Sequence, residues 1–192
     1  EEMTRPTNHI ELYTKMSEHN SIEDVTYTRK EDEESCKQTK TKKNIVLIDD
    51  DSEMRAYLKL ELQAVYNVET FASAKDAWST ISTGIPDAVV TDLMMEDTDG
   101  AELCSKIKKN PGTNHIPVLI ITSSSDERNI QRCMDSGADR FFTKPISLEI
   151  LKSAIANAIY TRDAIKNKFS KEIDYRYNEL EMADSGNQLI DK

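Results

Sequence analysis

The sequence Val89-Val90-Thr91-Asp92-Leu93-Met94-Met95 decides the fold, because an apolar run ends there on a single carboxylate and a loop begins. A short continuous apolar run predicts a strand buried on both faces, as in a parallel sheet. Asp92 is then expected where this strand reaches the surface. Ligands of open parallel sheets bind at the carboxyl ends of the strands, so Asp92 is the first candidate functional residue.

Three other predicted strands also end on residues with reactive or polar side chains. Surface acids and lysines are usually just solvated, so each residue alone is weak evidence. An ordered set of acid, acid, hydroxyl and amine, each closing a strand, favours one shared site. The other strand ends are Asp49-Asp50-Asp51 after residues 45–48, Thr122-Ser123-Ser124 after 116–121, and Lys144-Pro145 after 140–143.

Helical patterns alternate with the strands, and Ser52, Ser73 and Ser147 are the predicted N-caps of three helices. Five strand–helix repeats predict an α/β fold, in which a doubly wound parallel sheet carries helices on both faces. The predicted strands cover residues 45–48, 66–71, 87–91, 116–121 and 138–143.

Asp49, Asp50 and Asp92 would gather at one edge of this sheet. Carboxylates in one cleft repel, which raises a pKa or recruits a cation, and a site with few carboxylates suits Mg²⁺. The ion would leave one carboxylate able to attack phosphorus and form an aspartyl phosphate. Thr122 and Lys144 would bind the added phosphoryl oxygens through a hydroxyl and an ammonium.

These strand ends resemble the receiver domain of two-component response regulators, over residues 44–162. The resemblance implies a flavodoxin-like, five-stranded sheet of order 2-1-3-4-5, in which Asp92 accepts phosphate from a histidine kinase. It also implies that Asp50, Asp92 and the Met94 carbonyl bind magnesium. Asp49 would assist directly or through water.

The same resemblance assigns roles at the two last strand ends. Thr122 and Lys144 would hold the phosphoryl group with help from the Ser123 amide, and the Lys144–Pro145 bond would be cis. Phe141 occupies the position of the switch aromatic. Phosphorylation would draw Thr122 inward and let Phe141 move, which would change the face formed by the fourth helix, fifth strand and fifth helix.

Two positions depart from the pattern of the family. Glu96 stands where the loop after the acceptor usually has proline, so the rigidity of that loop is in question. Ser123 stands where alanine is common. Neither change removes a chemical group from the site.

The flanking segments resemble those of hybrid two-component proteins of the Bacteroides type. Residues 1–43 are polar and predict a flexible linker from a kinase in the same parent chain. Residues 163–192 predict a helical extension toward an AraC-type DNA-binding output domain outside this sequence. The extension is either a frayed tail or a connecting or dimerising helix, ended by Ser185-Gly186, so a homodimer is one expectation.

Composition excludes several other interactions. The net charge of −10 argues against direct nucleic-acid binding by this segment. No apolar run approaches the length of a membrane span, and the three cysteines form no metal or disulfide pattern. We therefore expect a cytoplasmic domain without membrane contact, although its parent protein could be membrane-anchored.

Three other functions fit the same residues less well. A phosphatase of the haloacid dehalogenase type would need a second aspartate at the position of Met94. A nucleotide-binding module would need a glycine-rich phosphate loop, which the sequence lacks. A degenerate receiver that acts only as a protein-interaction module is disfavoured by the intact set of acids, Thr122 and Lys144.

Overall fold

The computed structural model describes residues 42–96, 98–124 and 126–187. Five parallel strands form one sheet in the order β2-β1-β3-β4-β5, which confirms the predicted fold. The central strands β1, β3 and β4 are almost wholly buried, as the continuous apolar runs predict. The strands are β1 (Asn44–Ile48), β2 (Asn67–Phe71), β3 (Ala88–Asp92), β4 (Val118–Thr122) and β5 (Arg140–Thr143).

Five helices cover the two faces of the sheet, and one apolar cluster lies under each layer. The first and last helices pack on one face through residues such as Leu58 and Leu151, and the other three pack on the opposite face. The helices are α1 (Ser52–Leu62), α2 (Ala74–Gly84), α3 (Gly100–Lys109), α4 (Glu127–Asp135) and α5 (Leu148–Asn187).

Several predicted boundaries were wrong by a few residues. The N-cap of α1 is Asp51 rather than Ser52, because the Asp51 carboxylate accepts the backbone N–H groups of Glu53 and Met54. Ser73 caps α2 as predicted. Helix α4 begins earlier than expected, at Glu127 after the cap Asp126.

Four of the five strands, all except β1, start later than the sequence pattern suggested. Asp87 precedes β3, whose pairing with β1 begins at Ala88. The Asp87 carboxylate accepts hydrogen bonds from Arg162 and from the backbone N–H of Asn44. Tyr66 precedes β2, and residues 116–117 and 138–139 precede β4 and β5. The shift matters at the functional end, where β3 and β4 each extend one residue further than predicted, to Asp92 and Thr122.

Helix α5 continues through Ser185 and Gly186 to Asn187, so the predicted break at that pair was wrong. Residues 1–41, with most of the predicted linker, lie outside the described residues. Lys42 and Lys43, its last two residues, contact the domain: Lys42 donates to the Gln63 carbonyl, and Lys43 pairs with Asp87 and Asp163.

Candidate functional site

Three carboxylates converge at the carboxyl edge of the two neighbouring strands β1 and β3. Asp49 and Asp50 follow β1 directly, and Asp92 is the last residue of β3. One oxygen from each of the three lies within 4.8 Å of the others. Asp49 and Asp92 are buried, whereas Asp50 is exposed, so the cluster opens toward solvent on the Asp50 side.

Lys144 reaches this cluster from the end of the edge strand β5. It follows β5, and its ammonium donates to Asp92 Oδ2 at 2.7 Å and to Asp49 Oδ2 at 3.1 Å. Burial acts to lower the pKa of Lys144, but the charges and hydrogen bonds of Asp49 and Asp92 outweigh it and raise the pKa. Lys144 is therefore held as a cation between two buried acids.

The carboxyl group of Asp49 has a raised pKa. Burial is the largest cause and Asp92 adds repulsion, while Lys144 and the N–H of Asp51, which donates at 3.0 Å, act in the opposite direction. Three carboxylates gather here and the ammonium of Lys144 contacts two of them, so negative charge remains at this edge. The remaining charge favours a further cation.

The two last predicted strand ends lie beside this cluster. Thr122 is buried at the end of β4, opposite Thr143 in the register of β5, and its carbonyl accepts the Lys144 N–H at 2.7 Å. Its hydroxyl accepts the N–H of Ser124 at 3.1 Å. Ser123 is exposed.

Phe141, Met94 and Pro145 complete the predicted residues. Phe141 is half-buried in β5 and packs against the apolar cluster under α2, α3 and α4. The Met94 N–H points at Asp92 Oδ1, 3.4 Å away, and its side chain is exposed. The Lys144–Pro145 bond is cis, as the resemblance implies.

Two residues at the site were not identified from the sequence. The guanidinium of Arg55 on α1 donates to the carbonyls of Asp49 and Asp50, and only the folded loop shows this contact. Gly100 at the start of α3 lies so close to Asp92 that an added Cβ would be 2.1 Å from the Asp92 carbonyl oxygen. The Asp99-Gly100 pair in the loop was the sequence feature that could have indicated this close contact.

Comparison with known proteins identifies this arrangement. The family model for the response regulator receiver domain matches residues 45–156. The chain belongs to the response regulator receiver family. The match spans the five strands from Ile45 onward and the start of α5, and it includes each of the four strand ends discussed above.

Relatives and solved structures agree with this assignment. Histidine kinase P4 of Formosa agariphila is 31% identical over 153 residues, which are 80% of this chain but 11% of that protein. The receiver domain of a Syntrophus aciditrophicus signal transduction histidine kinase has 30% identity and a TM-score of 0.59, covering 62% of this chain and 91% of that one. The BeF3-activated DrrB receiver domain has 28% identity and a TM-score of 0.56, covering 62% and 99%.

The residues of this receiver domain fit a magnesium ion. Receiver domains generally bind Mg²⁺ in an acidic pocket, and here three carboxylates gather with a single ammonium among them. Carboxylate oxygens are the ligands that this hard cation prefers. Within the described residues, no helix is long and apolar enough to cross a membrane.

Proposed function

We propose that this receiver domain accepts a phosphoryl group on Asp92 from a histidine kinase in a magnesium-dependent reaction. The observation that carries the proposal is the contact of Lys144 with both Asp49 and Asp92 beside an exposed third acid. Asp92 is proposed as the nucleophile because it takes the position of the phosphoacceptor in the receiver family, at the end of β3. Asp49 also accepts a hydrogen bond from the backbone N–H of Asp51.

The residues at the site would have separate roles in the phosphoryl transfer. The Asp92 carboxylate would attack phosphorus as the bond to the kinase histidine nitrogen breaks, and the imidazole would keep the electron pair. Lys144 would then turn from the carboxylates to a phosphoryl oxygen, joined by the Thr122 hydroxyl and the Ser123 amide. Lys144 needs little movement, since its ammonium already lies 2.7 Å from the acceptor carboxylate.

Asp49, Asp50, Asp92 and the Met94 carbonyl would hold the magnesium ion. When bound, the ion would offset the negative charge of the acids and of the incoming phosphoryl oxygens. The exposed side of the cluster at Asp50 leaves a route for both the ion and the kinase histidine.

Phosphorylation would switch the face formed by α4, β5 and α5. Movement of Thr122 toward the phosphoryl group would pull on β5, because the Thr122 carbonyl accepts the Lys144 N–H. Phe141 lies three residues before Lys144 and would repack as Thr122 moves. This is a two-state element biased by a local change of charge.

The parent protein is proposed to be a hybrid histidine kinase and response regulator. In that arrangement residues 1–43 link to the kinase, 44–162 form the receiver and 163–192 lead to an AraC-type output domain in the cytoplasm. The similarity to a histidine kinase about nine times longer than the matched part supports a kinase in the parent chain. A second copy of the chain is a further proposed partner.

Intact-mass analysis after incubation with acetyl phosphate tests the phosphoacceptor. We expect a gain of one phosphoryl group that needs magnesium and is absent in Asp92→Asn. Asp51→Asn is the matched control: Asp51 follows the same strand but lies outside the carboxylate cluster, and asparagine caps a helix as well as aspartate.

A gain in the wild type and in Asp51→Asn alone would support the proposal. Equal labelling of Asp92→Asn would show a different acceptor and contradict it. If no protein gains mass with acetyl phosphate, the measurement is repeated with a phosphorylated kinase. Failure there too would favour the degenerate receiver.

A further inference from the structure

The last helix continues well past the sheet on which it packs. Leu151 and Ile155 are fully buried and Ile159 is 5% exposed, so the first part of α5 belongs to the core. Beyond Arg162 the apolar side chains of α5 are exposed: Phe169 is 60% and Ile173 is 67% exposed. The segment from residue 163 to Asn187 would extend about 37 Å as a helix.

The exposed apolar residues continue the buried face. Steps of three and four residues lead from Ala158 through Arg162 to Ile165, Phe169 and Ile173, and such steps keep side chains on one face of a helix. Tyr177 and Leu180 take the next positions in the same pattern. We call this face the seam, and its residues Ile165, Phe169 and Ile173 are more than half exposed.

A groove of 620 Å³ lies where the seam leaves the sheet. Its walls come from His115, Pro117 and Arg140 at the amino ends of β4 and β5, and from Ile165 and Phe169 on α5. It is electropositive, since four basic side chains and one acid line it: Lys108, Arg140, Arg162 and Lys166, with Asp139. Burial and three of these cations also lower the pKa of His115. The groove therefore suits an apolar segment that carries acids.

The charges of the extension are divided along its length. Residues 164–171 contain three lysines and no acid, whereas residues 172–187 contain five acids and one arginine. Two such helices side by side in the same direction would put like charges together. Running in opposite directions, each basic half would lie beside an acidic half.

We propose that the seam binds the seam of a second copy of this chain in an antiparallel helix pair. Charge complementarity supports this orientation, and so does the position of the receiver. The receiver lies on the seam side of α5, so a parallel pair would force both receivers into the space between the two helices. An antiparallel pair places them at opposite ends.

The length of the helix sets the register. A pair centred between residues 174 and 175 puts Phe169 opposite Leu180 and Lys168 opposite Glu181 of the second copy. It also brings the helix turn at residue 184, in the acidic half of the sequence, beside Ile165 and the groove. The same contact occurs twice by symmetry, as an isologous dimer requires.

Sedimentation equilibrium of the unphosphorylated chain tests whether the seam forms the dimer. We expect the double variant Phe169→Gln/Ile173→Gln to raise the dimer dissociation constant by about tenfold or more, equivalent to roughly 1.4 kcal/mol. The matched control is Tyr175→Gln, because Tyr175 is 67% exposed like Ile173 but lies off the seam. Added salt should also weaken the dimer.

Spin labels distinguish the two directions of pairing. Cysteines at Ala164 and Asn178 would be introduced singly in a Cys36→Ser background, since Cys104 and Cys133 are buried. An antiparallel pair offsets the two labels along the axis by about 31 Å at position 164 and about 10 Å at position 178. Because the lateral separation of the labels adds to both, the measured distance should be roughly 10–20 Å longer at position 164 than at position 178.

Equal distances at both positions would show a parallel pair and overturn the proposal. A wild-type monomer at every concentration would also overturn it, as would a dimer equally weakened by Tyr175→Gln. All of these measurements use unphosphorylated protein, so they are independent of whether Asp92 accepts phosphate.

Discussion

The ammonium of Lys144 donates to the carboxylate of Asp92 at 2.7 Å, across 52 residues of sequence. A positive charge therefore sits on the proposed phosphoacceptor before any phosphate arrives. It also sits where the proposed magnesium ion would be attracted, so Lys144 and the ion compete for the same two carboxylates, those of Asp49 and Asp92.

Lys144→Gln should strengthen magnesium binding and weaken the metal-free fold. Removal of the ammonium leaves two buried acids without a cation, which we expect to lower the free energy of unfolding by about 3 kcal/mol. Urea unfolding with and without magnesium measures both effects, because bound ion would restore much of the loss. In Lys152→Gln, where a partly exposed lysine loses weaker pairs, the change should stay under about 1 kcal/mol.

Equal stabilisation of the wild type and Lys144→Gln by magnesium would contradict this competition. The result would mean that the ion binds outside the carboxylates that Lys144 contacts.

Gly100→Ala should destabilise the domain strongly. The new Cβ would lie 2.1 Å from the Asp92 carbonyl oxygen, and backbone atoms must shift to make room. We expect a loss of about 2–4 kcal/mol, at the upper end of typical substitutions. Gly84→Ala is the control, because its nearest neighbour would be a Thr80 methyl at 3.8 Å, and it should change stability by less than about 1 kcal/mol.

Chemical denaturation of the two glycine variants provides the comparison. If Gly100→Ala were as stable as Gly84→Ala, the close approach of α3 to the Asp92 backbone would not constrain the loop.

Thr122→Ala should separate phosphorylation from switching. Thr122 is fully buried and offers the hydroxyl proposed to move toward the phosphoryl group. We expect Thr122→Ala to retain acceptor activity at Asp92 but to lose the BeF3-dependent change in amide exchange over α4, β5 and the packed part of α5. Thr122→Ser keeps the hydroxyl and should behave like the wild type.

The proposal would be contradicted if Thr122→Ala showed the same BeF3-dependent change in amide exchange as the wild type. In that case the signal would reach α4 and β5 without the hydroxyl, and the proposed coupling would be wrong.

Asp87→Asn should reduce the loss of stability in acid. Burial acts to raise the pKa of Asp87, but hydrogen bonds from Arg162 and Asn44 and the charges of Lys43 and Arg162 lower it overall. A carboxyl whose pKa is lower in the folded than in the unfolded chain stabilises the fold above its unfolded pKa of about 3.9. This contribution disappears as the pH falls through the folded value.

Urea unfolding between about pH 7 and pH 3 measures this contribution. At neutral pH the wild type should be more stable than Asp87→Asn, and the difference should shrink from about pH 4 downward. A difference that stays constant over this range would show that the Asp87 carboxylate contributes nothing that depends on its charge.

Much of the architecture could be predicted from local patterns. Continuous apolar runs such as 45–48 and 116–121 are typical of strands buried on both faces, as in a parallel sheet with two helical layers. The strand order 2-1-3-4-5 came from the family resemblance. The boundaries were less accurate, because a cap such as Asp51 depends on which oxygen reaches a free N–H, and Asp51 and Ser52 are both suitable cap residues.

The sequence by itself determined which chemical groups end each strand: the acids after β1 and β3, the hydroxyl of Thr122 and the amine of Lys144. Strand ends in one parallel sheet must share an edge, so these groups had to be neighbours. Only the tertiary structure decided that Lys144 contacts Asp49 and Asp92 together, that Arg55 closes the loop and that Gly100 touches Asp92. Those contacts depend on distances of a few ångströms between elements far apart in sequence, which the packing of the whole domain sets.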